Sequence, residues 1–388
     1  MRLKVGAQEL SIIGLDNNAV AGDVMCANPK DYNDCELVFN LGFSESANSY
    51  VKLVPVSSGG SAKVTVAKEL TITEQIKEFA LGNDKLRITR GNQNFDLTIR
   101  GATETFNIVY NYYEGWVGGQ SSGAYIFRPT KQTSTEYSSI KKVYYADGAT
   151  TAVVVLEGDR TLTRVSFSKT LDYVRNFGFM IETFVDSIPI GDKVGKEVTL
   201  NIKTRYNNGN KFFTDSMGLE EQTRILDYRP TWAYQVNEPT SGNYYPVNSF
   251  IRIQDSATNK TVAVLNDRSQ GGSVLRPGEI ELMIHRRLLQ DDGRGVEEPL
   301  NETDADREGL RQLVRHYVVF GNEYRAVQKW NDQRVLPTFA VSSSNTFASK
   351  NIRSAPITVP ATVKLYLRPF EDGTYLLRLH NMHPSSAV

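Results

Sequence analysis

Residues Gly271 to Glu298 read GGSVLRPGEIELMIHRRLLQDDGRGVEE. The Gly271-Gly272 pair tolerates backbone angles closed to other residues, and Pro277-Gly278 marks a turn. The next six residues, Glu279-Ile280-Glu281-Leu282-Met283-Ile284, alternate charged and apolar and close on an apolar pair. That period predicts a strand with one buried face. His285, Arg286 and Arg287 stand at its end, followed by the polar run Asp291-Asp292-Gly293-Arg294-Gly295. A strand end beside a glycine-rich turn is where a rigid sheet presents charges to a ligand. The plainer alternative is a solvated turn with internal Arg–Asp pairs.

Outward from this stretch the same period repeats. Phe250-Ile251-Arg252-Ile253 and Val262-Ala263-Val264-Leu265 precede it. Between 138 and 215 five or six strand-like runs, such as Thr151–Leu156 and Glu197–Ile202, are separated by Ala146-Asp147-Gly148, Glu157-Gly158-Asp159 and similar turn signals. This spacing predicts an all-β sandwich. Nineteen Tyr, 17 Phe and 29 Gly suit sheet rather than helix. Residues 1–80 hold short alternating runs predicted to pair as a meander in a small β unit, with Cys26 and Cys35 either bridged or free. A hairpin over 83–99 opens the larger unit at 81–340. Residues 303–320 fit a capped helix or a strand equally well. Runs at 361–367 and 375–380 flank Glu371-Asp372-Gly373 as a hairpin, within a third unit at 341–388.

Lys+Arg and Asp+Glu both count 44, so no basic stripe exists to favour nucleic acid or an anionic membrane. No apolar run is long enough for a transmembrane span, and MRLKVGAQELSIIG lacks the apolar region of a signal peptide. Asn259 and Asn301 begin glycosylation sequons, Asn-Lys-Thr and Asn-Glu-Thr. The cluster Tyr110 to Trp116 offers aromatic faces that either pack in the core or stack on sugar rings.

DRSQGGSVLRPGEIELMIHRRLLQDDGRGVEEPLNE resembles the signature of the C-terminal β region of family 38 α-mannosidases, the lysosomal type in particular. SSGAYIFRP (Ser121–Pro129), FFTDSMGLEEQTRILDYRPTW (Phe212–Trp232) and EPTSGNYYPVN (Glu238–Asn248) agree in the expected order. The resemblance implies a large β-supersandwich of galactose-mutarotase type, preceded by a small β domain. The first strands of a truncated C-terminal β-sandwich are expected to follow.

It further implies a retaining glycosidase that removes terminal α-linked mannose from glycans, with zinc held by an N-terminal α/β-barrel domain. Such chemistry needs two carboxyl groups about 5 Å apart. The barrel's His-x-Asp motif is absent here: none of His285, His316, His380 and His383 is followed two residues later by Asp. The 380/383 pair has no third ligand nearby. The chain is therefore expected to lack catalytic and metal-binding residues and to need the barrel as its partner. If the intact precursor carries a signal peptide, the lysosome, the vacuole or secretion follows. Within this chain the resemblance assigns the sugar pocket Tyr125, one of Arg286 and Arg287, and Asp292 as the arginine's partner. Strand alternation points the two arginines to opposite faces without saying which faces the pocket. Asp227 and Arg229 are expected to serve packing. A stand-alone carbohydrate-binding sandwich or an assembly subunit is the alternative, and exposure of Tyr112, Tyr113 and Trp116 discriminates.

Overall fold

A computed structural model describes residues 2–5, 9–14, 19–26, 35–39, 51–56, 60–71, 75–81, 83–90, 94–99, 101–169, 177–216, 220–321, 363–370 and 374–381. Among them the chain is all-β, the only helical turn being the 3-10 turn Ser241–Asn243. No helix there is long and apolar enough to cross a membrane.

Two large sheets stack face to face. The first runs Tyr245–Val247, Gln270–Arg276, Glu279–Arg287, Lys196–Thr204, Ala102–Glu114, Asn94–Ile99, Asp84–Thr89 and Ile76–Leu81, with Thr135–Ser138 also paired to Ala102–Glu114. The second runs Glu220–Ile225, Lys211–Ser216, Phe250–Gln254, Thr261–Asn266, Gln312–Gly321, Phe177–Val185, Thr161–Ser168, Thr151–Gly158, Ile140–Asp147 and Lys68–Glu69. We call them the nine- and ten-stranded sheets. Alternate residues of each enter one core: Val198, Leu200 and Ile202 from the first, Val314, Val318 and Phe320 from the second. Phe106 stacks on Phe95 and on Phe179, each at 4.7 Å between centroids, which joins the sheets through offset rings.

Two polar pins cross that apolar layer. Tyr110, fully buried, brings its phenol to Thr163 Oγ1 at 2.6 Å and Thr183 Oγ1 at 2.7 Å in the opposite sheet. Burial pushes its pKa up to about 12, against the pull of the two hydroxyls. His316 brings Nε2 to Gln270 Oε1 at 2.9 Å, so that nitrogen carries the proton and donates.

Within residues 303–320 the second half resolves as strand, Gln312–Gly321 pairing with Phe177–Val185 and Thr261–Asn266, while 304–308 form a turn closed by a bridge from Thr303 to Gly309. Central pairing on both edges, with Val314 and Val318 in the core, outweighs the local helix signal. The N-terminal strands are not a meander. Their order is Arg2–Val5, Cys35–Phe39, Gly22–Cys26, Ala62–Val66, Leu10–Gly14, Val51–Pro55, with Gly22–Cys26 and Ala62–Val66 parallel. Lys68–Glu69 and Ile76–Leu81 already belong to the larger sheets, ahead of the boundary expected at 80. Cys26 and Cys35 form a disulfide between Gly22–Cys26 and Cys35–Phe39, the one pair of described strands in this small sheet adjacent both in sequence and in space. The predicted last hairpin is present as Val363–Pro369 against Tyr375–Asn381. Its turn, residues 371–373, and the connection at 341–354 lie outside the described residues.

Gly22–Cys26 is buried on both faces and anchors the small sheet to the ten-stranded one. Val24 and Cys26 pack with Leu10, Ile12 and Leu37, while Met25 packs with Tyr144, Val153 and Val155. Beside Met25, the Asp23 carboxylate accepts the backbone N–H groups of Ala149 and Thr150, both at 2.7 Å, and the Thr150 hydroxyl.

Asp23→Ala leaves the backbone N–H and hydroxyl of buried Thr150 without their acceptor, and is expected to cost about 3 kcal/mol in urea unfolding, with early proteolytic release of the N-terminal sheet. A loss under about 0.5 kcal/mol would dismiss the anchor. His316 has its pKa lowered by burial from 6.5 to about 4. The unfolded chain then takes the proton first, so stability falls as pH drops from about 6.5 to about 4, by roughly 3 kcal/mol in all. The difference in unfolding free energy between pH 7 and pH 4 is expected to shrink by about that amount in His316→Gln.

Candidate functional site

The end of Glu279–Arg287 is shaped by one extra residue. Paired with Lys196–Thr204, it matches Thr199 to Met283 and Val198 to His285, so Ile284 bulges out of register. A one-residue insertion reverses the faces of everything beyond it. Before the bulge, Ile280 and Leu282 point into the core and Glu281 away from it. Beyond it, Arg286 lies on the outer face with Glu197, its register partner, and Arg287 turns to the other side.

Glu197 is fully buried and its Oε1 takes both Nε (2.9 Å) and Nη2 of Arg286. Ser122 Oγ lies 3.3 Å from Glu197 Oε2. Burial pushes the Glu197 carboxyl up, while Arg286 and Ser122 pull it down, and burial prevails.

Over this pair lies the loop of residues 116–130. Arg286 Nη2 also donates to the Ile126 carbonyl at 2.9 Å. From the other side, Asp292 Oδ2 accepts the N–H of Tyr125 at 2.6 Å and of Ile126 at 3.0 Å, and Oδ1 accepts that of Arg294 at 3.1 Å. Burial raises the Asp292 pKa, but these backbone donors outweigh it and hold the carboxyl below its usual range. Gly123 N–H donates to the Ile126 carbonyl, and Ser122 Oγ accepts Arg128 N–H. Gly123 must lack a side chain, because a Cβ would stand 2.6 Å from Asp292 Cβ and 2.8 Å from its backbone nitrogen. The result is a clamped loop with the Tyr125 ring 72% exposed at its tip.

The structure thus brings Tyr125, Arg286 and Asp292 together and separates Arg287, whose Nε donates to Asn301 Oδ1 at 2.6 Å and Nη1 to Ile188 O at 2.8 Å. Asp292 is not the arginine's partner: it holds the loop backbone, and Glu197 takes the guanidinium. Glu197 was not singled out in the sequence because Glu197, Thr199 and Asn201 alternate as a solvent face would. The loops at 115–134 and 226–244 cover that face. They are tied by the Arg128–Glu238 ion pair (2.8 Å) and by Thr240 N–H to Gln132 Oε1 (2.9 Å).

Beneath them Glu281 accepts the phenols of Tyr113 (3.0 Å) and Tyr244 on Oε1 and the Asn201 amide (2.7 Å) on Oε2. Burial raises the Glu281 carboxyl against these donors. Tyr113 is therefore committed to a polar network and Tyr112 packs against the core, leaving Trp116 as the exposed member of that aromatic cluster. Asp227 and Arg229 bind loop atoms: Asp227 pairs reciprocally with Asn243, and Arg229 reaches Gly242 O over the Tyr234 and Tyr245 rings. Asn259 sits on an exposed turn, whereas the side-chain oxygen of half-buried Asn301 is taken by Arg287. Among the described residues no group of three His, Cys, Asp or Glu could hold a metal. His285 bonds Leu310 O and His316 bonds Gln270, while the side chains of His380 and His383 lie outside the described residues.

The sequence profile of the glycosyl hydrolases family 38 C-terminal domain matches residues 96–294. The chain is 35% identical over 306 residues to the lysosomal α-mannosidase of Homo sapiens, covering 78% of this chain and 29% of that protein. It is 37% identical over 301 residues to the lysosomal α-mannosidase of Bos taurus (74% and 29%). With the α-mannosidase of Canavalia ensiformis the identity is 32% over 301 residues (71% and 30%). The chain spans less than a third of the length of these relatives.

Asp292→Ala is expected to raise hydrogen exchange of the Tyr125 and Ile126 amides by about tenfold or more, since their acceptor is removed. Arg287→Ala should leave those two amides unchanged while lowering the melting temperature. Equal exchange in both variants would mean that Asp292 does not hold the loop.

Proposed function

The chain belongs to glycosyl hydrolase family 38, and from that premise we propose that it is the C-terminal β portion of a lysosomal-type α-mannosidase. It acts on terminal α-linked mannose when joined to an N-terminal α/β-barrel domain. The barrel supplies the nucleophile of a retaining mechanism and the zinc ligands, and the present chain alone does not hydrolyse glycosides. Zinc would polarise the sugar in the barrel, and no group of described residues here fits it. The glycan and the barrel domain are the partners. The lysosome is the compartment, with Asn259 and Asn301 as glycan acceptors whose Nδ2 atoms would carry the sugar.

The observation that carries this reading is Tyr125. A large aromatic ring stands in solvent on a loop whose backbone is fixed by Arg286 and Asp292. An exposed side chain on so tightly held a backbone is suited to receive something from outside. In the proposed enzyme the Tyr125 phenol hydrogen-bonds a sugar hydroxyl. Arg286, neutralised by Glu197, orders the loop and adds its remaining N–H groups to the pocket wall. Arg287 supports the strand end from behind, and Asp292 sets the height of Tyr125. These are positioning roles around chemistry done elsewhere.

The test is hydrolysis of a chromogenic α-mannoside at mildly acid pH with added zinc, before and after mixing with a barrel-domain fragment. Activity is expected only on mixing. In the mixed enzyme Tyr125→Phe is expected to lower kcat/KM about tenfold, the worth of one neutral hydrogen bond. Hydrolysis by the chain alone would overturn the division of labour, and no activity after a stable complex forms would overturn the proposed function.

A further inference from the structure

We propose that a cleft on the outer face of the nine-stranded sheet, apart from the Tyr125 loop, is a second saccharide site that takes one pyranose ring. The cleft opens between residues 226–243, residues 132–134 and the strands Gln270–Arg276 and Glu279–Arg287, and encloses about 230 Å³. That is below the roughly 300–1,000 Å³ of sites for drug-sized ligands, which limits the occupant to about one ring.

Its lining matches the two chemistries of such a ring. Leu226, Pro239 and Leu275 form an apolar wall suited to the C–H face of a pyranose. The acceptors are Asp227, Glu279 and Glu281, and each retains capacity. A carboxylate has about four acceptor positions. Glu281 uses three, for Tyr113, Tyr244 and Asn201. Glu279 Oε1 takes the other Asn201 amide hydrogen at 3.0 Å, with Lys203 at 3.6 Å, and Asp227 Oδ1 takes Asn243 at 2.8 Å. Both hydrogens of the Asn201 amide are thereby consumed. Further donors must come from solvent or ligand, and vicinal hydroxyls deliver donors in pairs. Arg276 lines the same cleft and makes no side-chain hydrogen bond or ion pair among the described residues, which leaves its guanidinium for ligand oxygens.

Interleaved carboxylates, an amide and a guanidinium suit a polyol better than a metal ion, and no metal-holding group of three is present among the described residues. Asp227 is a non-glycine residue at φ 56°, held there by its N–H bond to Asn243 Oδ1 at 2.9 Å. Such backbone strain persists only where the surroundings impose it.

The cleft is distinct from the Tyr125 loop. Glu281 and Arg286 are five residues apart on one strand, about 16 Å at the usual rise. The Phe127 ring packs edge-on against Tyr113 at 5.5 Å and Tyr244 at 4.7 Å, closing the near end. The choice of a mannoside as probe rests on the proposed function, but the site itself does not.

The experiment titrates the full chain with methyl α-mannopyranoside and, separately, methyl β-galactopyranoside, followed by saturation-transfer NMR. Asp227→Asn is the first variant, because Asn tolerates the left-handed backbone and keeps the Oδ1 acceptor. Glu279→Gln is the second, with Lys141→Gln on the ten-stranded sheet as control and melting curves confirming each fold. Saturable binding of either glycoside is expected, weakened about tenfold by each acidic-site variant and unchanged in Lys141→Gln. Binding of the galactoside alone would support the cleft while leaving the α-mannosidase reading to the hydrolysis test. No saturable binding of either probe overturns the proposal. So does binding that both acidic-site variants leave intact.

Discussion

A carboxylate removed from water must be paired, and the pairing of Glu197 with Arg286 organises the face of the molecule that carries the candidate site. The pair exists because of Ile284. Without that extra residue the alternation starting at Ile280 would carry Arg286 into the core beside Leu282 and turn Arg287 outward. Glu197 would then be buried without a cation, and the Ile126 carbonyl would lose its donor. With the bulge in place each arginine finds acceptors on its own side: Glu197 and Ile126 for one, Asn301 and Ile188 for the other. The Tyr125 loop inherits its position from this choice, with Asp292 and the missing Cβ of Gly123 completing the fit.

The outer face of the nine-stranded sheet is therefore layered rather than solvated. Tyr113, Glu197, Thr199, Asn201, Glu281 and Arg286 form a polar stratum under two loops, and nearly every atom of it has a partner. A stratum of this kind adds little net stability, because desolvation offsets most of what the hydrogen bonds return. What it does is restrict geometry: a phenol or guanidinium displaced by one residue leaves a charge stranded. The apolar layer on the opposite side of the sheet, centred on Phe106, supplies the driving force and tolerates small changes far better.

Much of the architecture was legible as periodicity. The strand after Pro277-Gly278, the runs between 138 and 215 and the final hairpin are all where alternation puts them. Topology in the small N-terminal sheet was not, because parallel pairing of Gly22–Cys26 with Ala62–Val66 is a long-range choice that no local pattern encodes. The strand at Gln312–Gly321 was ambiguous for the converse reason: its local signal fits a helix until two flanking strands pair with it. At the site, Tyr125, Arg286 and Asp292 came from resemblance to a family motif and meet around one loop. Glu197 and Glu281 stayed invisible, since an acidic residue alternating with apolar ones reads as exposed unless something covers it. Which arginine turns outward was equally hidden, because a bulge is a pairing defect that leaves no mark in the residues themselves.

The buried ionisable groups pull in opposite directions as pH falls. Glu197 and Glu281 have raised pKa values, so the folded chain binds their protons more readily than the unfolded chain and gains stability on acidification. His316, with its pKa lowered to about 4, does the reverse between about pH 6.5 and pH 4. The two carboxyls sit under the loops of the outer face, while the histidine sits between the sheets against Gln270. Acid thus favours the layer that carries the candidate site and taxes the core pin behind it. The aromatic stack that joins Phe95, Phe106 and Phe179 holds the two sheets closed and so opposes the opening that protonation of His316 favours.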